Sequence, residues 1–221
     1  MNIVDSIKSL RLAIPERVVI VAVSKTQPVS AILEAYHAGQ RIFGENKVQE
    51  LVMKHSQLPP DIEWHFIGHL QTNKVRYIAP FIDFIHSIDS LKLLTEINRE
   101  ALKNHRIIDC LLQFHIAREE TKFGLNLTEA KTLIESEIFR QLKNIRMAGV
   151  MGMSSFSEDS ELVRKEFKSL RDYFLELKST YFSQDVFFKH LSMGMSGDYT
   201  IAIEEGSSLI RLGTIIFGNR P

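Results

Sequence analysis

The chain has one cysteine and one tryptophan, no excess of charge, and no apolar run long enough to span a bilayer. Each of these absences narrows the reading. A single thiol, Cys110, cannot close an internal disulfide. Lysine plus arginine equals aspartate plus glutamate at 27 each, and no basic block occurs, which argues against nucleic acid or an anionic membrane surface as partner. There is no signal-like amino terminus either, so the expected compartment is the cytoplasm. The metal motifs H-E-x-x-H and C-x-x-C are missing. His65 and His69 stand four apart, but WHFIGHL reads as a strand rather than a helix, and no metal site is expected.

What the chain does have is a regular alternation of short β-branched or aromatic runs with longer amphipathic ones. Strands are expected at 18–25, 41–46, 63–70, 84–89, 108–117, 145–153, 187–195 and 209–217. Helices are expected near 29–39, 47–57, 71–79, 91–105, 128–142, 160–181 and 199–205. Start signals come from Pro28 at a first turn, Ser90 before LKLLTEI, and Thr128 followed by Glu129. Eight strands and seven helices make an α/β (β/α)8 TIM barrel lacking its last helix, because the sequence ends four residues after the final strand. An amino-terminal helix with Ile3, Ile7, Leu10 and Ile14 on one face would fill the vacant outer position, giving a single domain over 1–221. An open doubly wound sheet is the alternative, but no G-x-G-x-x-G follows the first strand. Cys110, within IIDCLLQF, reads as a buried, inert thiol.

Barrel enzymes carry their chemistry at the carboxyl ends of the strands, and polar residues gather there in this sequence. Lys25 closes VVIVAVSK, Glu45 and Asn46 close the second strand, and His69, Gln71 and Asn73 follow the third. Ser87 and Asp89 end the fourth, Met151 and Met153 the sixth, Ser192 and Ser196 flank the end of the seventh, and Arg211, Gly213 and Thr214 lie along the eighth. Period two puts Val19, Val21, Val23 and Lys25 on one side. Two readings of Lys25 stand: an amine made nucleophilic toward carbonyls by desolvation, or a strand-end lysine reaching back to water. The loops after strands seven and eight, SMGMSGD and RLGT, have the hydroxyls of Ser196 and Thr214 and the glycines Gly197 and Gly213 that a phosphate cradle needs; they also suit an ordinary turn and cap. An amine and a phosphate cradle on one rim point to pyridoxal 5'-phosphate, with Arg211 as partner of the pyridine nitrogen or, alternatively, of a carboxylate such as Glu45. Met153 would line the cofactor. Glu119, Glu120 and Lys122 read as an exposed loop or a mobile lid.

Taken together, VAVSKTQP, RIFGENKVQE, WHFIGHLQTNK, HSIDS, LLQFHIAREETKFGL and LSMGMSGDYTIAIEEGSSLIRLGTIIFGNR closely resemble the pyridoxal phosphate homeostasis proteins, over about residues 18–220. The resemblance implies a barrel similar to the amino-terminal domain of alanine racemase, with the cofactor held as an aldimine on Lys25 and Arg211 near the ring nitrogen. It further implies Ser196, Gly213 and Thr214 around the phosphate, and Asn46 beside the ring. One departure is His115, where many relatives have asparagine.

The implied function is binding, storage or delivery of the cofactor with little or no turnover. Expected partners are the cofactor, amino acids and cofactor-dependent apoenzymes, with the chain a monomer or weak homodimer. Racemisation needs a proton acceptor on each face of the carbanion, and the sequence offers no evident second base. Two alternatives remain at this stage: a cofactor-dependent enzyme using His69, His115 or Tyr199 as that base, and a phosphate-binding barrel using Lys25 on carbonyl substrates without a cofactor.

Overall fold

The computed structural model describes residues 2–118 and 123–218; the expected loop of Glu119, Glu120 and Lys122 lies outside them. Eight strands, β1 (Val19–Val23), β2 (Ile42–Glu45), β3 (Glu63–Phe66), β4 (Phe84–Ile88), β5 (Ile108–His115), β6 (Ile145–Met153), β7 (His190–Ser192) and β8 (Leu209–Leu212), each pair in parallel with the next. β8 closes onto β1, so the sheet is a barrel without an edge. Around it run α1 (Ile3–Ala13), α2 (Val29–His37), α3 (Val48–His55), α4 (Val75–Ile78), α5 (Leu91–Lys103), α6 (Leu127–Glu135), α7 (Glu137–Gln141), α8 (Ser160–Thr180), α9 (Tyr199–Glu204) and α10 (Thr214–Phe217).

Several element ends differ from the sequence expectation, each for a local reason. β3 stops at Phe66 because the chain must pass so close to β2 that a Cβ on Gly68 would lie 2.4 Å from the Asn46 carbonyl oxygen. The helix expected over 128–142 is two, broken at Ser136, whose extended backbone ends α6 and whose hydroxyl accepts from the Phe139 amide to start α7. The start of α6 is Asn126, not Thr128, in a reciprocal capping box with Glu129. β7 is only three residues long. TIIF, expected to continue the last strand, coils into α10 beyond Gly213. α1 packs between α2 and α10, and so fills the outer position left open by the short carboxyl-terminal turn. The start at Ser90 is as expected, its hydroxyl accepting from the Leu93 amide.

The core has two layers. The larger joins the outer wall of the barrel to the helices and includes the fully buried Cys110. The smaller, inside the barrel, is made by Val21, Phe84, Leu111, Ala148, Met151 and Leu209. A bulge sets its upper part: between Cys110 and Leu111 the register with β6 slips from Met147 to Gly149. Gly149 has φ +147, and a Cβ there would lie 1.8 Å from the His190 carbonyl oxygen. The extra residue flips the side-chain alternation, which turns Met151 inward. No helix of the described residues is long and apolar enough to cross a membrane.

Candidate functional site

At the carboxyl end of β1 the chain leaves the strand after Val23 and turns, the Gln27 amide donating to the Ser24 carbonyl oxygen at 3.0 Å. Lys25 is the second residue of that turn and is half-buried. β8 supplies the neighbouring parts. Gly213 lies against the end of β1, a Cβ there meeting Val23 Cβ and O at 3.5 Å, and its amide donates to Ser196 Oγ at 3.3 Å. Ser196, Gly213 and the exposed Thr214 therefore form one patch beside the lysine-bearing turn. Asp198 shapes the loop below them: its carboxylate accepts from the Met195 amide at 2.6 Å and from Ser154 Oγ at 2.7 Å.

Arg211 pairs in register with Val21, which turns it into the barrel, where it is 4% exposed. It donates to Ser192 Oγ at 2.7 Å and to the Gly152 carbonyl oxygen at 3.0 Å, and among the described residues no carboxylate forms an ion pair with it. Burial pulls its guanidinium down to about 10. Ser192, expected at the rim, is fully buried and lies beneath Arg211 as its support.

That contact opens a chain of hydrogen bonds. Ser192 Oγ lies 3.0 Å from His86 Nδ1, His86 Nε2 lies 2.9 Å from His65 Nδ1, and His65 Nε2 lies 2.9 Å from Glu63 Oε1. Arginine only donates and an ionised carboxylate only accepts, so the ends set the direction. With both rings neutral, the serine hydroxyl donates to His86, His86 to His65, and His65 to Glu63. Burial holds His86 well below the usual imidazole range, and the bond from His65 holds Glu63 below the usual carboxylate range, as this polarity requires.

The remaining expected residues take these places. Asn46 follows β2, half-buried and pressed by Gly68. Met153, half-buried, packs on the inner cluster and pairs in register with His115 at the end of β5. His69 lies 3.2 Å from Asp89 and stacks on Phe123 with ring centres 4.0 Å apart. Glu45, the alternative partner for Arg211, points outward to Lys54 instead, at 2.7 Å. Cys110 is buried and its thiol is pushed up by desolvation. A cleft of about 630 Å³ opens at the other end of the barrel, but Arg106 there pairs with Asp83 at 3.0 Å and Arg146 with Asp109 at 2.5 Å. Sequence reasoning missed His86 altogether and considered His65 only as a metal ligand. Their inward parity on β3 and β4 was the available signal.

The model of the alanine racemase N-terminal domain family matches residues 2–221. The pyridoxal phosphate homeostasis protein of Aquifex aeolicus (strain VF5) is 42% identical over 198 residues, covering 89% of this chain and 85% of that protein. Its counterpart in Escherichia coli (strain K12) is 41% identical over 213 residues, covering 93% and 87%. Among solved structures, PipY of Synechococcus elongatus PCC7942 with PLP bound superposes with a TM-score of 0.89 at 34% identity, covering 98% of this chain and 100% of that one. The same protein without PLP gives 0.91 at 35% identity. Alanine racemase from Bartonella henselae, at 15% identity and TM-score 0.75, shares the fold over 99% of this chain and 59% of its own.

Proposed function

The chain belongs to the alanine racemase N-terminal domain family and, within it, to the pyridoxal phosphate homeostasis proteins, and from that premise we propose that it binds pyridoxal 5'-phosphate through Lys25 with little or no turnover. The observation that carries the reading is Arg211. A fully buried guanidinium with no ion-paired carboxylate among the described residues suits a neutral acceptor, and a pyridine nitrogen is one. The rest of the rim fits the same group. Among the described residues nothing lies within 4 Å of where a Cβ on Gly197 would stand, and Ser196, Gly213 and Thr214 offer hydroxyl and amide groups to a phosphate.

When bound, pyridoxal 5'-phosphate supplies an aldehyde that condenses with amines and a ring that withdraws electrons. In this reading Lys25 would hold the cofactor through its amine, Ser196, Gly213 and Thr214 would orient the phosphate, and Asn46 and Met153 would flank the ring. Arg211 would donate an N–H to the ring nitrogen. As a cation it keeps that nitrogen unprotonated, which leaves the ring a weak electron sink and disfavours carbanion chemistry. We place the protein in the cytoplasm as a monomer or weak homodimer, with the cofactor, amino acids and cofactor-dependent apoenzymes as its partners.

The test is the visible spectrum of the protein supplied with cofactor, before and after borohydride, with mass mapping of the reduced adduct. An adduct on Lys25 that Lys25→Ala abolishes supports the reading; a colourless protein with no adduct sinks it. Rapid α-proton exchange of L-amino acids in deuterated water would count against a non-catalytic role.

A further inference from the structure

The turn that carries Lys25 is gripped from outside the barrel by a closed group of charges that the proposed function leaves unused. Lys54, on α3, is 1% exposed. Its ammonium donates to three oxygens at 2.7 Å each: the Ser24 carbonyl, Glu45 Oε1 and Glu50 Oε1. Glu45 Oε1 also accepts from Ser24 Oγ at 2.6 Å, and Glu50 Oε1 accepts from the Thr26 amide at 2.6 Å. The residues immediately before and after Lys25 are thus each tied to the same buried ammonium, one directly and one through Glu50.

Thr26 gives the arrangement its meaning. Its φ is +66, a left-handed conformation that a β-branched residue adopts only where its surroundings impose it. The Glu50 carboxylate on its amide is such an imposition. Burying Lys54 with Glu45 is also a poor source of stability, because both groups lose water and Glu45 Oε2 has no hydrogen-bond partner among the described residues. Such a pair is better explained by the single conformation it enforces.

Resting on the proposed function, we propose that Lys54 and Glu50 are positioning residues for Lys25: by locking the Ser24 carbonyl and the Thr26 amide, they hold the turn in the one conformation that presents the amine to the cofactor. Neither residue touches the cofactor; both act through the backbone of the turn.

The experiment compares the apoprotein with Lys54→Met and Glu50→Ala, using two probes. Pyridoxal 5'-phosphate reports on linkage to Lys25, and pyridoxine 5'-phosphate, an alcohol that cannot link to an amine, reports on the rest of the site. Both variants are expected to lower affinity for the aldehyde at least tenfold and to reduce the yield of Lys25 adduct after borohydride. Affinity for the alcohol should stay within twofold. In a Lys25→Ala background, Lys54→Met should no longer change affinity for the aldehyde, because the route of its action is gone. Thr26→Gly, which adopts the left-handed region without strain, should restore most of the adduct in the Glu50→Ala background. If Lys54→Met does not fold, Glu50→Ala and its glycine rescue carry the test. Wild-type adduct yield and affinity in both variants, or an equal loss of alcohol binding, would overturn the positioning role. A wild-type protein that forms no Lys25 adduct overturns the functional reading itself, so the two failures are distinct.

Discussion

Arg211 and Glu63 stand at opposite ends of one hydrogen-bonded chain through the barrel interior, joined by Ser192, His86 and His65. A donor-only cation near the carboxyl rim and an acceptor-only carboxylate near the other end align every bond between them. Ser192→Ala cuts this chain and leaves Arg211 and His86 each short of a buried partner. The expected cost is about 1–3 kcal/mol in denaturant unfolding, with weaker cofactor binding as Arg211 loses its support. Unchanged stability and affinity would show that the chain is idle.

The same interior dictates a pH dependence. Burial lowers His86 well below its usual range and His190 to about 4. A histidine depressed in the fold binds its proton first in the unfolded chain, so above about pH 6.5 neither state is favoured by titration. Stability is then lost as pH falls from there toward 4, at up to about 1.4 kcal/mol per pH unit for each group. Glu45, raised by desolvation, works in the opposite sense and offsets part of the loss. His190→Gln should give a shallower decline between pH 6.5 and 4 and a parallel curve above pH 7, measured as the urea midpoint at each pH.

Phosphate affinity is expected to divide between two hydroxyls. Ser196→Ala and Thr214→Val should each weaken binding of inorganic phosphate to the apoprotein about tenfold, the equivalent of one hydrogen bond to a charged group. Calorimetric titration measures this, and an unchanged constant in both would remove these residues from the cradle.

Two glycines should respond very differently to an added methyl. At Gly149 an added methyl would overlap the His190 carbonyl oxygen, and the backbone there is already at φ +147. Gly149→Ala is expected to destabilise by more than about 3 kcal/mol through loss of the β6–β7 pairing. Gly197→Ala meets nothing within 4 Å among the described residues and should stay within about 0.5 kcal/mol. Thermal unfolding of the pair decides between them.

The barrel was legible because each strand is a short apolar run that ends in, or is followed within two residues by, a polar or glycine residue, and because Lys25, Ser196, Arg211 and Gly213 stand at or near those endings. Strand ends were misread where apolar residues continue beyond the hydrogen-bonded ladder, as in IGHL after Phe66 and TIIF after Gly213. Composition cannot show where a glycine lets the backbone turn away. The interior chain was hidden for a different reason: its members come from four strands, with His65 and His86 21 residues apart and His86 and Ser192 106 apart. The clamp joins the turn after β1 to β2 and α3 in the same non-local way, and the local sequence around Lys54 carries no sign of its burial.

Cys110, sealed in the outer layer of β5, gives the molecule a clock of its own. A thiol must reach water and lose its proton before it attacks a disulfide reagent, so each modification event counts one opening of that wall. Because it is the sole thiol of the chain, the labelling rate against reagent concentration reads the free energy of opening without any introduced probe. Any ligand that favours the closed barrel will slow the clock by the same factor by which it suppresses the open form.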